Sequence, residues 1–248
     1  LICIYGIASG MLYLHSQNIS HHDLKPGNIL MDDYLFPKIA DFGLAEIKND
    51  SQNDKNSKTT PSTKGTPKYI APEAWKKSQY TKSGDVYAFS IIMYEIMTSR
   101  EPFKGFSNFD IFDKVISNNY RPVFVDPIPK VYMDLIESCW LNEPEDRPTF
   151  CEIVNKLRND RDFIVRKVKA DYYYDYIKYI DQVQQATDLN QIEELENEKQ
   201  NRFKKISLDD QLEKLNSDQL DSNSSDSSDS TGLQIELNDF QSFDDLCD

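Results

Sequence analysis

Asp23, Lys25, Asn28 and Asp41 stand in an order and at a spacing that suit phosphoryl transfer. A carboxylate can accept or orient a hydroxyl proton. An ammonium two positions on can meet a transferring phosphate. An amide oxygen and a second carboxylate can supply the hard oxygen ligands that Mg²⁺ takes. The four residues lie within His21-His22-Asp23-Leu24-Lys25-Pro26-Gly27-Asn28 and Asp41-Phe42-Gly43, and Gly65-Thr66-Pro67-Lys68-Tyr69-Ile70-Ala71-Pro72-Glu73 follows downstream. A lone loop aspartate ordinarily makes turn contacts. Three motifs in this order argue for chemistry.

Together these motifs resemble the C-terminal lobe of the eukaryotic protein kinases, over residues 1–165. The resemblance implies ATP and Mg²⁺ as cofactors and a protein hydroxyl as acceptor. Asp23 matches the catalytic aspartate and Lys25 the lysine that contacts the γ-phosphate, while Asn28 and Asp41 match the two metal ligands. Leu30 matches the residue under the adenine ring, supported by Ile92 and Ile96. His21 and Phe42 match packing residues that position the metal-binding loop. Glu73 and Arg147 match a buried ion pair at the end of the activation segment. Asp85 matches the carboxylate that accepts backbone N–H groups from the catalytic loop.

The acceptor class is written in two places. Lys25-Pro26-Gly27-Asn28 after Leu24 follows the serine/threonine pattern, and Thr66 matches the threonine that bonds the catalytic aspartate and lysine in those enzymes. In contrast, Asp85-Val86-Tyr87-Ala88-Phe89-Ser90, Cys139-Trp140 and Arg147-Pro148-Thr149-Phe150 resemble tyrosine kinases. The mixture resembles the tyrosine-kinase-like group of serine/threonine kinases. His22 stands where the family usually has an arginine that grips a loop phosphate, and a histidine lacks that fixed charge and planar fork. Activity is therefore expected not to depend on phosphorylation of Ser51, Ser57, Thr59, Thr60, Ser62 or Thr63. Ser90 replaces the usual glycine with another small residue.

No G-x-G-x-x-G can be built from the eight glycines, and these 248 residues contain nothing that resembles a nucleotide-binding lobe with its strand lysine. The expectation is a kinase lacking its N-terminal lobe and inactive as it stands. In the enzyme reading the missing lobe belongs to a longer protein. The competing readings are a pseudokinase-like binding module or a fragment of a larger signalling kinase acting by protein interaction, and a gene fragment without a product.

The elements that must hold these residues are mostly helical, an α+β fold that is predominantly α. Ile4, Ile7, Met11 and Leu14 space a helix over 1–16. Ile19, Ile29-Leu30-Met31 and Lys38-Ile39-Ala40 read as short strands around the catalytic loop, and 44–64 reads as a long polar loop. Val86, Phe89, Ile92, Met93, Ile96 and Met97 mark a buried helix over 85–98. A further helix over 131–140 turns Leu135, Ile136 and Cys139 inward. Thr149 with Glu152 forms a capping box that opens a helix with Phe150, Ile153, Val154 and Leu157 on its core face. Tyr173, Tyr176, Ile177, Ile180 and Val183 fit one more helix.

Charge divides the chain. Residues 1–170 hold 22 basic and 22 acidic side chains, and residues 171–248 hold 6 and 20, so the net charge of −14 belongs to the tail. The expected organisation is a folded lobe (1–165), a helical extension (166–186) and an acidic, largely disordered tail (187–248) with transient helix near Leu189 to Leu215. The tail could recruit other proteins. Neutrality of the lobe and acidity of the tail give no reason to expect nucleic-acid binding. No apolar run approaches the ~20 residues of a membrane span. Cys3, Cys139, Cys151 and Cys247 show no metal or redox spacing, and Cys139 and Cys151 read as buried thiols. A reducing cytoplasmic or nuclear compartment is the expectation.

Overall fold

The computed structural model describes residues 1–47, 65–77, 80–166, 168–186, 188 and 190–203. The candidate loop acceptors from Ser51 to Thr63 and the serine-aspartate run lie outside these residues. The described part is predominantly helical, with two small antiparallel sheets. It divides into two compact units, Leu1–Tyr174 and the residues from Asp175 onward. None of its helices is long and apolar enough to cross a membrane.

The first unit is built on helix α1 (Ile2–Ser16), which packs on β3 (Pro37–Ile39) and on α6 (Phe150–Asn159). The sequence stripe of Ile4, Ile7, Met11 and Leu14 is buried as expected. Tyr5, Ala8 and Leu12 are buried too, because neighbours cover this helix on several sides. Approach to the sheet is close. A Cβ at Gly10 would fall 2.9 Å from Ile39 Cδ1, so a larger residue there would require the end of the Ile39 side chain to shift.

Strand β1 (Ile19–Ser20) pairs with β4 (Glu46–Ile47), and β2 (Ile29–Met31) pairs with β3 in the register Ile29↔Ile39. Asp32 shapes the β2–β3 connection: its Oδ1 accepts the N–H groups of Tyr34 at 2.9 Å and Phe36 at 3.0 Å. Strand β4 lies in the stretch read from sequence as loop. Two residues carry no readable alternation, and only the partner strand makes them extended.

Helix α3 (Lys82–Thr98) starts three residues before the apolar pattern does. Thr81 caps it, Oγ1 accepting the Gly84 N–H at 3.1 Å. Most of its length is buried, and Ile96 is exposed at its end. Helix α5 (Lys130–Cys139) buries Tyr132 beside the expected Leu135, Ile136 and Cys139, and the Tyr132 hydroxyl donates to the Phe163 carbonyl at 2.7 Å. Burial pushes the Cys139 thiol up to about 12. Cys151 differs from the expectation: it is half-buried rather than buried.

The capping box of α6 closes in both directions, with Glu152 N–H to Thr149 Oγ1 at 3.2 Å and Thr149 N–H to Glu152 Oε2 at 2.7 Å. A second box, Ser107 with Asp110, opens α4 (Asn108–Ser117), which the apolar pattern does not reveal. This helix rests on α2 (Pro72–Lys77), where Trp75 meets Phe112 edge-on at 5.4 Å. Phe109 stays exposed.

Helix α7 (Ala170–Gln185) begins in the first unit, where Tyr173 sits edge-on to Tyr5 at 5.6 Å and donates to the Leu157 carbonyl at 2.9 Å. In the second unit, Tyr179 donates to Glu196 at 2.8 Å from the helix over 190–203, and Lys199 lies over the Tyr179 ring at 5.1 Å. Asp175 pairs with Arg202. The boundary between the units falls within 166–186, the stretch read from sequence as a helical extension.

Candidate active site

The loop between β1 and β2 carries the first three candidates. His22 lies in the left-handed region at φ 65, a conformation that costs a branched-ring residue free energy and needs outside support. Asp85, 2 % exposed in the first turn of α3, supplies it. Its Oδ2 accepts the His21 N–H and its Oδ1 the His22 N–H, each at 2.9 Å, and His15 Nε2 lies 2.9 Å from Oδ2. Asp85 therefore holds the strained backbone immediately before Asp23. His15 was not among the sequence candidates; a lone histidine at a helix end carries no signal of its distant partner.

Asp23 is the centre of a small polar cluster. Lys25 Nζ lies 2.5 Å from its Oδ2, and Asn28 Nδ2 donates to the Asp23 carbonyl at 2.8 Å and to Oδ2 at 3.2 Å. Both side-chain donors meet Oδ2, so Oδ1 is the oxygen these bonds leave over. Asn28 is 5 % exposed, and its Nδ2 is committed to Asp23. The remaining polar atom of that amide is the oxygen Oδ1.

Asp41 is brought beside Asn28 by the sheet. The Ala40 N–H donates to the Asn28 carbonyl at 2.8 Å, continuing the β2–β3 ladder by one step, and Asp41 is the next residue. It lies at φ 60 and accepts the Gly43 N–H at 3.2 Å. The His21 ring joins the two loops: Nδ1 accepts the Asp23 N–H at 3.3 Å, and Nε2 lies 3.1 Å from the Ala40 carbonyl. This pattern fits a neutral ring protonated at Nε2. Phe42 packs on His21 at 5.4 Å between centroids. Phe42 is 49 % exposed and Leu30 58 % exposed, whereas Ile92 is buried in α3.

Thr66 lines the same small cavity as His22, Asp23, Tyr80 and Asp85. Its neighbour Gly65 lies at φ 115, and a Cβ there would sit 3.4 Å from Asp23 Oδ1. Gly65→Ala is therefore expected to destabilise the fold by about 1–2 kcal/mol through backbone strain. Urea unfolding measures this; an unchanged midpoint would show that the segment relaxes without cost.

Glu73 and Arg147 form a bidentate pair, Nη1–Oε1 at 2.7 Å and Nη2–Oε2 at 2.8 Å. The other donors of the guanidinium reach the carbonyls of Leu141 (2.8 Å), Ser83 (2.9 Å) and Asn142 (3.3 Å). Its face lies 5.3 Å from the Tyr87 ring centroid. This pair ties α2, the start of α3 and the segment before α6 together, and it lies outside the Asp23 cluster.

A second hydrogen bond organises the segment after Gly65. The Tyr69 hydroxyl donates to Glu95 Oε1 at 2.9 Å; burial and that bond raise the Tyr69 phenol well above its usual range, and burial raises the Glu95 carboxyl. The carboxyl of Glu101 is held below its usual range by its partner Lys68. Neither Tyr69 nor Glu95 was a sequence candidate.

A family model described as protein tyrosine and serine/threonine kinase matches residues 1–157. The chain is 40 % identical over 153 residues to the dual specificity protein kinase shkA of Dictyostelium discoideum, a stretch covering 60 % of this chain and 29 % of that protein. It is 38 % identical over 153 residues to "Probable serine/threonine-protein kinase drkC" of the same organism, covering 61 % and 20 %. A third Dictyostelium protein, also named a probable serine/threonine-protein kinase, is 37 % identical over 156 residues, covering 62 % and 11 %. The chain thus spans less than a third of the length of these curated relatives.

Proposed function

Because the chain belongs to the protein tyrosine and serine/threonine kinase family, we propose that it forms the C-terminal lobe of a serine/threonine kinase of the tyrosine-kinase-like group. In this reading it transfers the γ-phosphate of ATP to a protein hydroxyl. The observation that carries it is the Asp23 cluster, in which two side-chain donors fix Oδ2 while Oδ1 is left for an acceptor. Asp23 Oδ1 orients the acceptor hydroxyl and takes its proton as the bond to phosphorus forms. Lys25, already beside Asp23, offsets negative charge on the transferring group. Asn28 keeps the carboxylate from rotating. Because the transition state is loose, positioning and charge stabilisation supply most of the rate.

Asn28 and Asp41 fit a Mg²⁺ site. The cation keeps several waters and takes one or two protein oxygens together with phosphate oxygens, so no all-protein cage is needed. Among the described residues no three His, Cys, Asp or Glu side chains converge into such a cage. The carboxylate of Asp41 and the Oδ1 of Asn28, on residues that the Ala40–Asn28 backbone bond brings close, would hold the cation. When bound, Mg²⁺ neutralises charge on the phosphates. Exposed Leu30 is suited to lie under an adenine ring.

The acceptor class rests on Lys25-Pro26-Gly27-Asn28 and Thr66. The relatives named above include both serine/threonine and dual-specificity enzymes, so acceptor class is the point to test. A site roofed by a second lobe excludes water and holds ATP for in-line attack, and these 248 residues contain no glycine-rich phosphate loop. The isolated chain is therefore expected to transfer labelled phosphate at background rate. Joined to a lobe that closes over the nucleotide, it should yield phosphoserine and phosphothreonine on a generic protein substrate. Phosphotyrosine in comparable yield would overturn the acceptor class. Transfer by the isolated chain, abolished by Asp23→Asn, would overturn the need for a second lobe.

A further inference from the structure

We propose that Tyr80 is a positioning residue for Asp23, acting through the ring of His22; the proposal rests on the kinase reading given above. The His22 and Tyr80 rings lie 5.2 Å apart between centroids, inclined by 39°, and both line the cavity that Asp23 and Thr66 share. Tyr80 immediately precedes Thr81, the cap of α3, and Asp85 lies in the first turn of that helix. The start of α3 thus clasps His22 from two directions. Asp85 takes the backbone N–H groups of His21 and His22, and Tyr80 takes the ring.

The clasp has a purpose at this position. A residue at φ 65 without glycine's freedom relaxes toward negative φ unless its surroundings oppose it. A flip at His22 would swing the next residue, Asp23, away from Lys25 and Asn28. Asp85 restrains the two amides but not the direction of the side chain. The aromatic contact restrains that direction, and aromatic pairs of this kind contribute beyond the area they bury. The contact is made ring to ring, inclined by 39°, and phenylalanine carries the same ring.

Proton NMR and amide exchange on the 248-residue chain test the proposal without reliance on catalysis. In Tyr80→Ala, the His22 ring protons should lose the ring-current shift that Tyr80 imposes. The amides of His21 and His22 should exchange at least about tenfold faster while those of 86–93 in α3 stay unchanged. Tyr80→Phe should restore both. In the protein completed by a nucleotide-binding lobe, Tyr80→Ala should lower kcat about tenfold with KM for ATP unchanged, and Tyr80→Phe should not, since a small misplacement of a catalytic group is enough to slow transfer. Unchanged His21 and His22 amides, failure of phenylalanine to rescue, or equal acceleration across α3 would each overturn it. If instead Asp23→Asn leaves transfer intact, the kinase reading fails while the ring and amide results still decide whether Tyr80 holds His22.

Discussion

Asp23→Asn, in the protein completed by a nucleotide-binding lobe, is expected to lower kcat by ~10²–10⁴-fold. The substitution keeps shape and volume, so the loop should remain in place. The backbone anchors on Asp85 do not involve the Asp23 side chain, and Asn28 keeps its 2.8 Å bond to the Asp23 carbonyl. Two things are lost. An amide accepts no proton from the incoming hydroxyl, and the charge that draws Lys25 to within 2.5 Å of Oδ2 disappears. A thousandfold loss corresponds to about 4 kcal/mol of transition-state stabilisation. Steady-state transfer of labelled phosphate, with KM for ATP measured alongside, checks this. A kcat within tenfold of the parent would show that Asp23 is not the group that handles the proton.

Glu73→Ala is expected to destabilise the fold by about 3–5 kcal/mol. The cost comes less from the lost attraction than from what remains. Arg147 is 5 % exposed, and without Glu73 it keeps three carbonyl contacts but no counter-charge. Double replacement, Glu73→Leu with Arg147→Met, should cost much less than Glu73→Ala, because neither charge is then stranded. Thermal unfolding reads the effect as a fall in Tm of roughly 10 °C for a chain of this size. A fall below about 2 °C would mean that water reaches Arg147 and that the pair is not structurally important.

The sequence by itself determined whatever depends on neighbours within a few positions. Thr149 and Glu152 announce the cap of α6 because both halves of the box lie in one turn. The inward faces of α5 and α6 follow from periodicity, since one side of each meets the core. Asp23, Lys25 and Asn28 converge because a short loop separates them, so the cluster is legible as a motif in the sequence.

Only the tertiary structure decided what crosses the chain. Asp85 meets His15, His21 and His22 across 63 to 70 positions, and Arg147 meets Glu73 across 74. No local rule encodes such pairs; they follow from the path that packing imposes. The same reason hid β4, whose two residues are extended only because β1 lies beside them. It hid α4, where exposed Phe109 and half-exposed Phe112 blur the apolar stripe and the Ser107–Asp110 box was the sole local sign. It also concealed the setting of His22. Its identity was visible as a departure from the family pattern, but its left-handed backbone, its anchors on Asp85 and its contact with Tyr80 arise only when the start of α3 folds against the loop.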